Sequence, residues 1–234
     1  MIDWKQGEHN MEFKKFVLPY INSNMYVAIE DGHALIIDPN ISVDGIEYLV
    51  NSEIEDGILL LTHEHFDHTS GVNRVKELFP CKLICQTKCA ESIANKIKNR
   101  PLSLLLINKN EDAKEIRRFF DQFELYECMA DVTFDDCYEF TWYSHKIRLI
   151  STPGHSKGSV CIEIDDFYVF TGDTLIPDIP VITRYPGGSM DEYKNIALPY
   201  LLQLEKSKYV YPGHGDPCCR DRLEYIEDVF RHIK

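Results

Sequence analysis

The chain has 234 residues, 44% of them hydrophobic, which is enough for one substantial core, and 25 Lys+Arg against 38 Asp+Glu set its formal charge at -13. That balance repels polyanions and argues against a nucleic-acid partner. No apolar run approaches the ~20 residues that cross a bilayer, and the first residues, MIDWKQGEHNMEFKKF, carry no apolar signal core, so a cytoplasmic protein without a membrane partner is expected.

Taken in chain order, MYVAIE (25–30), HALIID (33–38), GILLLT (57–62) and CKLIC (81–85) concentrate β-branched and aliphatic residues and read as strands. YEFTWYSHKIRLIST (138–152), SVCIEID (159–165), FYVFTGD (167–173) and KYVYPG (208–213) continue the series. Helical spacing occupies 42–52, 71–79, 88–99, 112–125, 191–206 and 219–233. This alternation is that of a layered α/β protein.

No repeat or Pro/Gly/Ser-rich linker divides the chain, so residues 1–234 are expected to form one domain, interrupted by a helical insert at about 100–130. Leu102, Leu104, Leu105, Leu106 and Ile107 open the insert and are too many to be left in water. They either dock on the core or form one wall of a substrate pocket. In the second case Lys109, Lys114, Arg117 and Arg118 favour an anionic substrate tail.

Eight cysteines are expected as free thiols, since a chain of this length needs no disulfide scaffold. Cys81, Cys85 and Cys89 belong to a strand and the following helix and read as small apolar residues. His33 and His145 fall in the hairpin turns DGHA and YSHK, where a solvated turn residue is expected.

The dense polar stretch THEHFDHTSG (62–71) directly follows the apolar run GILLL. Within it, His63 and His65 are two residues apart and project to one side of an extended segment, and the next turn brings Asp67 and His68 round to a second position. That arrangement suits two adjacent cations. Imidazole and carboxylate donors select Zn²⁺ and its first-row neighbours, Fe and Mn among them, over Mg²⁺ or Ca²⁺. Three further segments repeat the layout of a coordinating residue just past an apolar strand: RLISTPGHS offers His155, YVFTGDT offers Asp173 and YVYPGH offers His214. Loops at strand ends are where scaffolds carry sites, so these seven residues are expected to converge at one sheet edge. Gly154, Gly172, Gly213 and Gly215 permit tight turns beside them.

THEHFDH, TPGHSKGS, TGDT and PGHG resemble, in order and spacing, the motifs of the metallo-β-lactamase fold superfamily, and within it the small hydrolases of the glyoxalase II type. The resemblance spans about residues 20–215. It implies an αββα sandwich with a dinuclear site between the sheet ends. Carried over, His63, His65 and His155 hold one metal, Asp67, His68 and His214 hold the other, and Asp173 bridges them.

Two cations ~3.5–4 Å apart share a water, lower its pKa toward ~7 and present a bridging hydroxide to a small-molecule ester, thioester or lactone. No Ser or Cys nucleophile is then required. Asp67 is the candidate for orienting that water, with two divalent ions, Zn²⁺ first, as cofactors. Ser156, Ser159 and Thr174 are candidates for hydrogen-bonding the ligands from behind.

Departures from the family's branches narrow the activity. Dinuclear β-lactamases of the commonest type carry Cys where Asp173 stands and lack the match to His68. The oxygen-reducing diiron branch has Glu at position 65. A persulfide dioxygenase-like oxidoreductase and a non-catalytic metal-binding scaffold remain the alternatives. Lactone hydrolases place a tyrosine where this chain has Ile176, and Tyr185 substitutes for it only if its loop folds back. Glyoxalase II proper continues into a helical glutathione-binding domain, whereas about twenty residues follow His214 here. Small glyoxalase-like relatives show an Arg and Pro-Gly-Gly similar to ITRYPGGSMDEY (182–193), which makes Arg184 the candidate clamp for a substrate carboxylate. In the same stretch Ser189 or Asp191 is placed to cap the next helix.

Overall fold

In a computed structural model, residues 11–99, 118 and 125–223 are described, and among them the strands pair into two six-stranded sheets. The first holds β1 (Lys14–Val17), β2 (Asn24–Glu30), β3 (His33–Ile37), β4 (Asp56–Leu60), β5 (Cys81–Gln86) and β6 (Val132–Phe134), in that order. Its first three strands are antiparallel, and β3 to β6 run parallel. The second holds β7 (Cys137–Trp142), β8 (His145–Ser151), β9 (Val160–Ile164), β10 (Tyr168–Gly172), β11 (Tyr209–Pro212) and β12 (Cys218–Cys219). There only β10 and β11 pair in parallel.

Side-chain alternation sorts each strand between two cores. Tyr26, Ala28, Leu35, Ile37 and Leu60 of the first sheet meet Ile147, Leu149, Ile162, Ile164 and Phe170 of the second. On the outer face of the first sheet, Met25, Val27, Ile36, Leu59 and Leu83 pack against helices. Because β2 to β5 bury both faces, they read as continuous apolar runs. By contrast β8 alternates, burying Ile147 and Leu149 while Lys146 and Arg148 face out.

The covering helices are α1 (Val43–Asn51), α2 (Phe66–Thr69), α3 (Val72–Leu78) and α4 (Thr87–Ile93) on the first sheet, through Leu49, Val72, Val75 and Ile93. A helix over residues 190–203, here α5, covers the second. Its middle, Tyr193–Ala197, is a π-turn that brings Tyr193, Ala197 and Leu201 onto Cys161, Val169 and Val210. Ser189 caps it by accepting from the Glu192 amide. The layers are therefore helix, sheet, sheet, helix, the αββα sandwich.

Three strands escape the sequence pattern. KKFV, VTF and CC are too short or too polar to read as strands and are defined by their partners. Of the insert, Leu102, Leu104, Leu105, Leu106, Ile107, Lys109, Lys114 and Arg117 lie outside the described residues, as does the 219–233 helix beyond Leu223. His145 departs from expectation. It is only 5% exposed, its Nδ1 lies 2.7 Å from Asp165 Oδ2, and its Nε2 lies 3.8 Å from Glu30 of the facing sheet. His33 is paired with Asp56 at 2.6 Å. All eight cysteines are free. No helix of the described residues is long and apolar enough to cross a membrane.

Candidate metal centre

Each strand that points toward the site delivers its donor in the loop beyond its last residue. His63 and His65 follow β4, and α2 carries Asp67 and His68. His155 follows β8, Asp173 follows β10, and His214 follows β11. The parallel register of β10 and β11 pairs Gly172 with Pro212, and Gly213 donates its amide to the Gly172 carbonyl at 2.8 Å, so Asp173 and His214 emerge side by side. The two sheets are tied at this end by Val160 N–H donating to the Thr62 carbonyl and by Asn24 N–H donating to the Gly213 carbonyl, both at 2.8 Å.

All seven expected residues meet here. His63 Nε2 and His155 Nε2 lie 3.0 and 2.9 Å from His65 Nδ1. His68 Nε2 is 3.3 Å from Asp67 Oδ2 and 3.5 Å from Asp173 Oδ1. His214 Nε2 is 3.4 Å from the Oδ2 atoms of both acids, and His155 Nε2 is 3.5 Å from Asp173 Oδ2. Asp173 therefore faces donors from both clusters. The sets His63, His65, His155 and Asp67, His68, His214 each bring their donor atoms close enough to hold one ion.

The hydrogen bonds behind the rings decide which nitrogens carry lone pairs. His155 Nδ1 donates to the Ile182 carbonyl at 2.7 Å, and His214 Nδ1 to the Asn22 carbonyl at 3.1 Å. His68 Nδ1 donates to Asp38 Oδ2 at 3.0 Å. Thr62 Oγ1 donates to Asp38 at 2.6 Å and so accepts from His63 Nδ1 at 3.1 Å. His63 Nε2 and His155 Nε2 consequently both aim lone pairs at His65 Nδ1. One N–H there satisfies only one of them, whereas a cation satisfies all three. In the second cluster, the lone pairs of His68 Nε2 and His214 Nε2 face carboxylate oxygens. His68 Nε2 and Asp173 Oδ1, 3.5 Å apart, are buried without a hydrogen-bond partner. The residues fit a pair of divalent cations.

Electrostatics separate the clusters. Burial first, then the neighbouring imidazoles, pushes His63 well below the ordinary histidine range and His65 down to about 3. His155 is lowered mainly by burial. For His68 and His214 burial also opposes charge, but Asp67 and Asp173 outweigh it, raising His68 well above its usual range and His214 to about 10. Burial opposes ionisation of Asp67 and Asp173 too. The His68 and His214 charges hold Asp67 well below the usual carboxylate range, and those of His214 and His68 hold Asp173 there. Without cations, protons take their place in the second cluster only.

Asp38 is the residue that sequence reading misses. Buried, with φ +53, it accepts from Thr62 N at 2.7 Å, Thr62 Oγ1 and His68 Nδ1, and so orients two of the histidines. Its signal was available, since HALIID ends in an acid just past an apolar strand, as YVFTGD does. Ser156 and Ser159 bond each other, and Ser156 bonds Glu64 instead of a candidate ligand. The Thr174 carbonyl accepts from Tyr193 Oη. Arg184 is exposed. Tyr185 does fold back, its ring standing edge-on to His65 and His155 at 5.5 and 6.0 Å. Cys218 and Cys219 pair with Val210 and Tyr209 in the sheet.

Gly213 shows how closely backbone approaches the donors. A Cβ there would collide with Asp173 Oδ1 and come within 2.9 Å of His68 Cε1. Gly213→Ala is expected to cost about 1–3 kcal/mol of stability through overpacking and to displace Asp173. Thermal unfolding together with metal content by elemental analysis checks it. A variant with unchanged metal content would show that the site tolerates the displacement.

Comparison with known proteins agrees with this fold. A family model described as "Metallo-beta-lactamase superfamily" matches residues 19–214. The chain is 28% identical over 203 residues to "Glyoxylase B2" of Dictyostelium discoideum, covering 86% of this chain but only 60% of that relative's length. It is 28% identical over 213 residues to a "Probable metallo-hydrolase" of Methanocaldococcus jannaschii, covering 88% of this chain and 94% of the relative. Among solved structures, the BLEG-1 B3 metallo-beta-lactamase superposes with TM-score 0.71 at 25% identity, over 90% of this chain and 95% of that one.

Proposed function

Since this chain belongs to the metallo-beta-lactamase superfamily, we propose that it is a dinuclear hydrolase of a small-molecule ester, thioester or lactone, glyoxalase II-like in chemistry and cytoplasmic. The observation that carries the reading is the set of imidazole lone pairs converging on one point, beside a second set facing two carboxylates. In it His63, His65 and His155 would hold one ion, Asp67, His68 and His214 the other, and Asp173, which faces both clusters, would contribute to both. The nitrogen and oxygen donors favour Zn²⁺, with Fe and Mn as neighbours in preference. When bound, such a pair lowers the pKa of a shared water toward neutrality and polarises a carbonyl.

The chain's own groups do the rest. Asp67, whose Oδ2 lies close to both His68 and His214, orients the attacking water. The Tyr185 ring walls the site beside His65 and His155 and excludes water from the scissile group. Arg184, on the rim, clamps a substrate carboxylate by paired hydrogen bonds. The likeness to "Glyoxylase B2" supports the glyoxalase-like reading, and the folded-back Tyr185 keeps lactones in contention.

The test is turnover of a panel of esters, thioesters, lactones, β-lactams and phosphodiesters by protein loaded in turn with Zn²⁺, Mn²⁺ and Fe²⁺. Activity is expected on one of the first three classes, with kcat/KM rising with pH and levelling above about 7. Oxygen consumption with a persulfide in the absence of any hydrolysis would overturn the reading in favour of an oxidoreductase.

A further inference from the structure

Glu64 stands between two candidate ligands, belongs to neither donor set, and has no part in the reaction described above. We propose that Glu64 is a positioning residue that clasps the His63–His65 turn to the His155 turn and so holds the three imidazoles of one ion in register. The inference rests on the reading of those three histidines as ligands.

The two turns come from different sheets, and few bonds join them. One is the backbone bond from Val160 N–H to the Thr62 carbonyl at 2.8 Å. Another, besides the contact between the His65 and His155 rings at 2.9 Å, is made by the Glu64 carboxylate. Ser156 Oγ donates to Glu64 Oε2 at 2.7 Å, lies 2.8 Å from Ser159 Oγ, and Ser159 Oγ in turn accepts from Ser156 N at 3.0 Å. The amides of Gly158 and of Glu64 itself also lie close enough to stabilise the charged carboxylate. Glu64 thus grips the loop immediately after His155.

That loop is held from behind as well. A Cβ on Gly158 would collide with the backbone of Cys89 at the start of α4, so the loop is wedged between the helix and the Glu64 carboxylate. Withdrawing an acid from water is costly unless it is well hydrogen-bonded, and charge-assisted bonds from a hydroxyl and amides offset part of that cost. A short side chain at this position would leave the two turns joined by the backbone bond and the contact between the His65 and His155 rings, and glutamine would keep an acceptor for Ser156 but lose the charge. Metal sites need their donors held to within roughly 0.5 Å by such supporting groups.

The test measures binding, without turnover, by stepwise chelator competition with Zn²⁺ and by the visible spectrum of the Co²⁺-substituted protein. Glu64→Gln and Glu64→Ala are expected to weaken the ion held by His63, His65 and His155 by about 10–100-fold, the range typical of groups supporting metal ligands. The ion held by Asp67, His68 and His214 should change far less, a difference that general destabilisation would not produce. Ser156→Ala should reproduce part of the loss and be non-additive with Glu64→Ala, because both remove one bond. Should Glu64→Ala fail to fold, Glu64→Gln and Ser156→Ala carry the test. Unchanged affinity of the first ion in a folded variant, or equal loss at both ions, would overturn the proposal. Wild-type protein that binds no ion at the three histidines would overturn the ligand reading, and this inference with it. Absence of hydrolysis with normal metal binding would sink the proposed activity alone.

Discussion

Asp173→Asn is expected to reduce metal content from about two ions per chain to about one and to lower hydrolysis by more than the 10–100-fold typical of residues behind the ligands. Asp173 sets its two carboxylate oxygens against both clusters, with Oδ1 3.5 Å from His68 Nε2 and Oδ2 within 3.4 to 3.5 Å of His214 and His155. Asparagine keeps the size but loses the negative charge, and one of its two terminal atoms becomes an N–H donor that cannot coordinate. The lost charge would also let the raised proton affinities of His68 and His214 fall, since Asp173 is one of the groups that raise them. Elemental analysis after dialysis, paired with steady-state kinetics, reads both effects. Two tightly held ions in a fully active variant would rule out a bridging role.

The two ions should answer differently to pH. At His63, His65 and His155, burial and mutual repulsion keep the rings neutral, with His65 at about 3. Binding there displaces no proton between pH 6 and 8, about the range where an unperturbed histidine titrates. His214, raised to about 10, and His68, raised well above its usual range, both hold protons across the same interval. An ion entering that cluster must expel them, so its affinity should fall about tenfold per pH unit for each proton displaced as pH drops from 8 to 6. Calorimetry in buffers of different ionisation enthalpy counts the protons released. Equal pH slopes for the two ions would contradict the prediction.

Metal-free stability follows from the same groups, with signs that can be stated. A histidine whose folded value lies above its ordinary one contributes fully below about 6.5 and loses that contribution as pH rises through its folded value, about 10 for His214. Asp67 and Asp173, held low, contribute above about 4 and lose it as pH falls through their depressed values. His63, His65 and His155, held low, add a contribution present above about 6.5 and lost as pH falls below it. The metal-free protein should therefore be most stable at about pH 6.5 to 7, and unfolding at pH 4, 7 and 10 would reveal it.

Much of the candidate site was legible in the chain. His63, His65, Asp67, His68, His155, Asp173 and His214 each follow an apolar strand, and strand ends on one side of a sheet must lie close together. The strands themselves were legible because burying both faces leaves unbroken apolar runs. β1, β6 and β12 were not, since four residues or fewer carry too little pattern and their pairing is supplied by neighbours. His145 misled because a histidine near a hairpin turn looks solvated until the neighbouring strand brings Asp165, and the facing sheet Glu30, against it.

What the sequence by itself determined is the inventory of donors and the side of the sheets on which they emerge, because burial and side-chain period are local properties of the chain. Only the tertiary structure decided what each donor can do. The lone pair of His68 is set by Asp38, that of His155 by the Ile182 carbonyl and that of His214 by the Asn22 carbonyl, partners 30, 27 and 192 positions away. A ring nitrogen becomes donor or acceptor according to the atom opposite its other nitrogen, and no local pattern specifies that atom. The contrast between a neutral cluster and a protonated one likewise arises from which carboxylates fold against which imidazoles.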